Sequence, residues 1–324
     1  MSRHRRKRNR WLQRRKNDAI YLAIRLVVWV ARPLPPRAGV RFFGALGKAV
    51  FLVPSKDRQR TFDHLRFIFG AQWSEKRIRR TARAVYENIG KSLFDSLYFS
   101  RCSREQMLSR VTFDDLAEVR KAYERGKGLI VITAHVGCFE MLLHFFGHMG
   151  FSSFAIGSKL YDERLDRLVA ELRSGEDIAY MHRKGSSRSI IRLLRQGKVF
   201  GVLVDQDTNV EGVFAHFLGR LAYTPSAPVR MALRFDIPMA VLTTFRREDN
   251  THHVSVTGPI EVQKTDDFTG DTVRAVERIN KIIGDAILRN PDQWVWMHRR
   301  WHHQPDQPKY SGIPSIEDYQ SAGQ

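Results

Sequence analysis

The chain has 324 residues, 43% of them hydrophobic, with 54 lysines and arginines against 34 acidic residues. A net charge of +20 and a pI near 10.4 favour anionic partners: nucleic acid, a membrane surface, or an acidic protein or lipid. With two cysteines, Cys102 and Cys138, the sequence has neither a disulfide framework nor a cysteine–histidine zinc spacing, and its length suits one large domain or one domain with an accessory segment.

Met1 to Lys16 holds nine basic residues and no acid, and reads as a disordered tail. Ala19 to Ala31 is apolar except for Arg25, carries Trp29 near its end, and runs into Pro33, Pro35 and Pro36, which stop a helix. A bilayer span needs about 20 residues, and no small-x-small cleavage site follows for a signal peptide. The segment therefore reads as a helix lying on a membrane, its tail against anionic headgroups on the cytoplasmic side. A helix packed on the protein's own core is the other reading.

Further apolar periodicity predicts helices over Ala38–Pro54, Arg58–Phe69, Ser74–Phe99, Ser103–Arg110 and Phe113–Arg125. Ser103 with Gln106 three residues on fits a capping box. From Gly128 the pattern changes to alternating strands and helices. Strands are expected at Leu129–Thr133, Phe154–Gly157, Ala179–His182, Lys198–Val204, Pro238–Arg246 and His252–Val262. Helices are expected at Phe139–Met149, Asp162–Arg173, Ser187–Arg195, Pro225–Phe235 and Thr272–Arg289. This is an α/β fold, a mixed sheet covered by helices behind a mainly helical N-terminal part. The organisation is a basic tail (1–18), a membrane-associated helix (19–36), a main domain (37–305, helical to 125 and α/β from 126) and a polar tail (306–324).

Chemistry concentrates where strands end. His135 follows the Leu129–Thr133 strand, Gly137 lets the backbone turn, and Glu140 lies five residues on. On one helix such residues are turned about 140° apart. They meet only if His135 is in the loop and Glu140 in the first helical turn, where the carboxylate would accept the imidazole N–H and leave the other nitrogen as a general base. A structural histidine is the alternative. The Lys198–Val204 strand delivers Asp205-Gln206-Asp207, whose carboxylates suit a helix cap, a solvated loop or Mg²⁺. Phe214–Arg220 reads as an aromatic turn that walls a pocket or packs a core. Trp294, Trp296 and Trp301, with His298, Arg299 and Arg300, suit nucleic-acid stacking, a lipid headgroup or a core strand. Arg183 and Arg188 offer phosphate contacts, and Cys138 is a second conceivable nucleophile beside His135.

Thr133-Ala-His135-Val-Gly137-Cys-Phe-Glu140 resembles the His-x4-acid signature of the lysophospholipid acyltransferase-like superfamily, and most closely the lipid A late acyltransferases, the lauroyl and myristoyl transferases. Asp205-Gln206 resembles the family's Asp-Gln, and Phe217-Leu-Gly219-Arg220 with Thr224 its Phe-Phe-Gly and following Thr. Asn290 to Trp301 is similar to its C-terminal signature. The sequence departs from the family at Cys138 and Phe139, where Asn and Trp are usual, and at His64.

The resemblance implies acyl transfer from an acyl carrier protein or coenzyme A thioester to a hydroxyl of a membrane glycolipid, in lipopolysaccharide biosynthesis at the bacterial inner membrane. His135 would be the base and Glu140 its support, with no metal or further cofactor required and no nucleic acid as partner. Substrate-binding or oxyanion candidates are Gly137, Arg188, Asp205, Gln206, Phe217, Gly219, Arg220, Thr224, His298, Arg299 and Arg300. The other readings are an acyltransferase for another membrane lipid, a basic non-catalytic membrane- or nucleic-acid-binding protein, and a metal hydrolase using His135 with Asp205 and Asp207.

Overall fold

The computed structural model describes residues 3–175, 177–182 and 186–320. Helix α1 (Arg3–Ala31) runs unbroken through the segment expected to be a disordered tail. Pro36 opens α2 (Pro36–Leu52) at a position where its missing N–H costs nothing. Next come α3 (Lys56–Phe69), capped by Ser55, and α4 (Glu75–Phe99), capped by Ser74. Then comes α5 (Arg104–Leu108), where Ser103 and Gln106 form the expected capping box. Helices α2 and α4 pack with their backbones nearly touching. A Cβ at Gly47 would lie 2.1 Å from the Tyr86 carbonyl oxygen, and one at Gly90 2.2 Å from that of Phe43. Among the described residues no single helix is long and apolar enough to cross a membrane.

The helical part contains one strand the sequence pattern did not reveal, β1 (Val111–Phe113), and α6 (Ala117–Glu124) follows it. At three residues β1 is too short for an alternation to register. Beyond it lie β2 (Leu129–Thr133), α7 (Met141–His148), β3 (Ser153–Gly157), α8 (Glu163–Leu172), β4 (Ile178–His182), α9 (Ser186–Arg195) and β5 (Val199–Leu203). A hairpin of β6 (Gly212–Phe217) and β7 (Arg220–Pro225) stands apart from the main sheet. The chain continues through α10 (Ala227–Phe235), β8 (Met239–Arg246), β9 (His252–Thr257) and α11 (Phe268–Arg289), and reaches α12 (Ile316–Gln320) after a long irregular stretch.

The seven-stranded sheet has the order β1-β9-β8-β2-β5-β3-β4. All neighbours are parallel except β8 and β9. Strand β2 is buried along its whole length, as a central parallel strand covered on both faces must be. The carboxyl ends of β2 and β5 lie side by side, which brings His135 and Asp205 to the same edge. Behind that edge a buried trio ties the helical layer to the sheet. Asp95 of α4 sits 2.6 Å from Arg246 at the end of β8 and 2.9 Å from His252 at the start of β9.

The sheet is incomplete at one place. Strands β3 and β5 pair from Ser153 and Val199 only as far as Ala155 and Gly201, although β5 stays paired to β2 up to Leu203. Beyond Gly201 the two strands diverge and leave a wedge between them. Leu203 is accordingly 37% exposed although it lies on an interior strand.

Candidate active site

The wedge opens into a cavity of about 690 Å³, within the usual range for a small-molecule site. Apolar side chains from α7 (Leu143, Phe146), β5 (Val202, Leu203) and α9 (Ile190) form much of its wall. Its polar lining includes His135, Glu140, Arg173 and Gln206, with Glu211 and Arg230.

His135 is held twice by one carboxylate. Its backbone N–H donates to Asp205 Oδ2 at 2.8 Å, and its ring Nδ1 lies 2.8 Å from Asp205 Oδ1. The indole N–H of Trp294 donates to the same Oδ2 at 2.8 Å. Burial pushes the Asp205 carboxyl up. The charge of His135 and its hydrogen bond, with the one from Trp294, outweigh burial and hold the group far below the ordinary carboxylate range. Asp205 is therefore an anion that accepts from three donors, and it fixes the imidazole proton on Nδ1.

This corrects the expected partner of His135. The first turn of α7 does not bring Glu140 to the imidazole. Glu140 occupies the N-cap position of α7 and forms a two-pronged ion pair with Arg173, one prong being Arg173 Nε to Glu140 Oε2 at 2.8 Å. The Arg173 guanidinium also reaches the Tyr180 hydroxyl, at 3.3 Å. The pair lines the cavity beside His135 rather than supporting it. Arg173 was not singled out in the sequence; it lies 33 residues from Glu140, and no local spacing marks it.

Other expected site residues prove to be interior scaffold. The Gly137 N–H donates to the Gln293 carbonyl at 2.9 Å, so it is not free for an oxyanion. Gly137 has φ +59, and a Cβ there would lie 2.2 Å from the Thr244 carbonyl oxygen, which only glycine avoids. Phe217, Thr224 and Arg300 are buried. Arg300 donates to the Tyr223 carbonyl at 2.5 Å and to Thr224 Oγ1 at 2.7 Å, and stacks 4.4 Å from the Phe217 ring centre. Burial pushes its guanidinium down to about 10, against the pull of Asp205 and Asp207. Leu218 and Gly219, both at positive φ, make the two-residue turn of the β6–β7 hairpin. Arg220 is exposed over Phe67, Arg188 and Arg299 are exposed, and Arg183 lies outside the described residues.

The C-terminal signature is a set of stitches. Val295 N–H donates to the His135 carbonyl at 3.2 Å, and Gln293 clasps the backbone of Arg246 through both ends of its amide. His64, one of the departures noted above, has Nδ1 2.8 Å from the Trp296 carbonyl. Trp294 and Trp296 are fully buried, which removes them as stacking platforms for nucleic acid. Asp207 is taken up by His303, through both its backbone N–H at 2.8 Å and its ring Nδ1. Neither Asp205 nor Asp207 faces the other's partner, and among the described residues no group of three metal-ligating side chains gathers. Burial pushes the Cys138 thiol up to about 12, so it is no nucleophile at neutral pH.

Two site residues do converge on the base. The Gln206 carboxamide nitrogen lies 3.0 Å from His135 Nε2 and 2.8 Å from His298 Nε2, between two rings whose centres are 4.8 Å apart. The whole is an α/β protein with a histidine–carboxylate pair at the mouth of an apolar cavity. The chain belongs to the bacterial lipid A biosynthesis acyltransferase family, whose sequence model matches residues 7–303. It is also similar to a lipid A biosynthesis palmitoleoyltransferase of Escherichia coli K12 and a lipid A biosynthesis acyltransferase of Shigella flexneri. Each is 29% identical over 126 residues, 38% of this chain and 39% of the relative. These matches span about two fifths of the relatives' length.

Proposed function

We propose that this protein transfers a fatty acyl group from a thioester, of acyl carrier protein or coenzyme A, to a hydroxyl of a lipid A precursor. The observation that carries the reading is His135, its proton fixed on Nδ1 by Asp205, standing at the mouth of an apolar cavity. The Nε2 lone pair is the base that takes the acceptor's proton as the hydroxyl attacks the thioester carbonyl. Asp205 stabilises the imidazolium that results. The cavity receives the acyl chain, and the Glu140–Arg173 pair beside it lies where the polar end of a substrate would rest. The test is His135→Ala, which should lower kcat by about 10²–10⁴-fold without unfolding the protein. Near-normal turnover by the folded variant would refute the mechanism.

The same reading has the protein working on the cytoplasmic face of the inner membrane. Leu22, Leu26 and Trp29 of α1 are 64%, 58% and 70% exposed, and Phe42, Leu46 and Val50 extend the apolar surface along α2. Arg3 to Lys16 adds charge suited to anionic lipid, each basic residue contributing about 1 kcal/mol near such a surface. Deleting residues 1–32 should shift the protein to the soluble fraction, and high salt should partly reproduce the shift. Undiminished membrane binding by the truncated form would move the anchor to α2.

A further inference from the structure

The two thioesters that fit the reaction ask different things of the protein. Coenzyme A is a small molecule and needs only a pocket. An acyl carrier protein is an acidic protein with its thioester on a prosthetic arm, and needs a surface of opposite charge beside the cavity. We propose that helix α9, with α10 beside it, is that surface, and that the acyl donor is a carrier protein docked there. The inference rests on the acyl-transfer reading and names its donor.

Helix α9 has no acidic residue. Arg188, Arg192 and Arg195 are spaced four and three apart, which sets them on one stripe of the helix, and all three are exposed. Ile190 and Leu194 are buried on the other side. Helix α10 adds Arg230 and the exposed Arg234. The Arg195 guanidinium stands 5.8 Å from the Phe235 ring centre, so the two helices lie side by side. The acidic groups nearby are already engaged. Glu211 lies 3.4 Å from Arg230, and Asp236 is held by Lys127 and Lys264. Arg188, Arg192 and Arg234 have no ion-pair or hydrogen-bond partner among the described residues.

Charge alone does not choose α9. The start of α4 is as basic, with Lys76, Arg79, Arg80 and Arg83 exposed. That helix, however, packs against α2, whose exposed Phe42, Leu46 and Val50 suit a bilayer. Among the described residues neither α9 nor α10 has an exposed large hydrophobic side chain, which suits a soluble partner.

Placement in the fold separates the two basic surfaces further. Ile190 of α9 and Val229 of α10 pack in one core with Ile130, Ile132 and Phe200. Leu142 and Phe145 of α7 pack in another with Leu129, Val131 and Val199, the alternate residues of the same strands. The two sets cover opposite faces of the sheet. Helix α8 belongs to the α7 side, where His144 Nε2 donates to the Leu172 carbonyl at 2.8 Å. Helix α1 lies on α8, with Asp18 and Tyr21 both against Arg164. The helix read as the membrane anchor is therefore on one side of the sheet and α9 on the other.

The cavity joins the two sides. Ser187 and Ile191 of α9, Pro228 and Met231 of α10, and His135 all line it. Arg188 follows Ser187 directly, so the basic stripe begins at the cavity wall. The docked carrier sends its arm between the first turns of α9 and α10 toward His135, while the lipid acceptor arrives from the membrane side.

The test uses the full-length protein in phospholipid–detergent micelles. Anisotropy reads the binding of labelled carrier protein that bears its prosthetic arm but no acyl chain. Transfer from dodecanoyl carrier protein and from dodecanoyl coenzyme A to a phosphorylated, partly acylated glucosamine disaccharide is read in parallel. The double change Arg188→Glu with Arg192→Glu should raise Kd and KM for the carrier about tenfold or more. The kcat at saturating carrier should stay within about threefold of wild type. Added salt should weaken carrier binding to wild type more than to the variant. Arg79→Glu with Arg80→Glu, the same charge change on α4, should leave the carrier Kd within about threefold. Circular dichroism checks each fold, and the Arg→Gln pair at 188 and 192 carries the test if the Glu pair unfolds. A carrier Kd unchanged in the folded α9 variants, or an equal loss in the α4 variant, overturns the proposal. Wild type that transfers from coenzyme A but neither binds the carrier nor takes acyl from it overturns the proposal and upholds the acyl-transfer reading. Wild type inert with both donors overturns that reading and the proposal with it.

Discussion

Replacing Asp205 by Asn separates the two carboxylates that compete for the role of supporting the base. Asp205 accepts three hydrogen bonds at 2.8 Å, two on Oδ2 and one, from His135 Nδ1, on Oδ1. Asparagine keeps the first two if its oxygen takes the Oδ2 site, and its NH₂ then faces Nδ1. The ring proton must move to Nε2, and the lone pair that should take the acceptor's proton is lost. Reversing a catalytic histidine's tautomer in this way costs up to about 10⁴-fold in rate, or about 5 kcal/mol of barrier. The stability loss should be smaller, about 1–3 kcal/mol, because two of three hydrogen bonds survive. Glu140→Gln leaves the His135 proton in place and weakens only the grip on Arg173, so its kcat should fall at least tenfold less. The assay is single-turnover transfer of a radiolabelled acyl chain from its carrier-protein thioester, with urea unfolding run alongside. If Glu140→Gln proves the more damaging change while Asp205→Asn stays within tenfold of wild type, the support assigned to Asp205 is refuted.

Gly201 marks the point where the sheet opens, and a Cβ there meets nothing closer than the Phe154 carbonyl oxygen at 3.8 Å. Gly201→Met should therefore fold, fill part of the cavity and shift the transferred chains toward shorter lengths, as mass spectrometry of the product lipid would show. Gly137→Ala forces a Cβ to 2.2 Å from a backbone oxygen at φ +59 and should cost more than about 2 kcal/mol in urea unfolding. His298 has its folded pKa lowered from 6.5 to about 4. Its neutral form is favoured in the folded state, so its contribution is complete above pH 6.5 and is lost as pH falls toward 4, roughly 3 kcal/mol in all. Denaturant midpoints measured from pH 7 to 4 should fall less steeply in His298→Gln than in wild type.

What was legible in the sequence was whatever rests on local pattern. The alternation after Gly128, the buried β2 run, the Ser103–Gln106 box and the strand ends carrying His135 and Asp205 are all set by neighbours in the chain. The pairings across the fold were not. Glu140 stands at a spacing that invites it to His135, yet the α7 N-cap geometry and Arg173 draw it elsewhere. Asp205 reads from the sequence as a helix cap, a loop residue, a metal ligand or part of a substrate site, and not as the support of His135, because nothing in the sequence says that β5 lies beside β2. For the tryptophans next to Arg299 and Arg300 the sequence leaves a surface and a core strand both open, whereas Arg300 is buried on Phe217 and Trp294 ends on Asp205. A buried arginine with hydrogen-bonding partners leaves the same trace in a sequence as a solvated one.

The stitches between the His135 loop and residues 293–295 also bear on when the protein becomes active during its synthesis. Helix α1 and the whole of β2 leave the ribosome long before Gln293, Trp294 and Val295 are made, at about 5–20 residues per second. Until then the Gly137 amide, the His135 carbonyl and the Asp205 carboxylate each lack a partner that the finished fold supplies. The basic first helix is thus complete well before the His135 loop gains its last partners at Gln293, Trp294 and Val295. On the membrane-bound reading, the chain would meet lipid before the loop that carries His135 is fully braced, and the order of its own residues would set the delay.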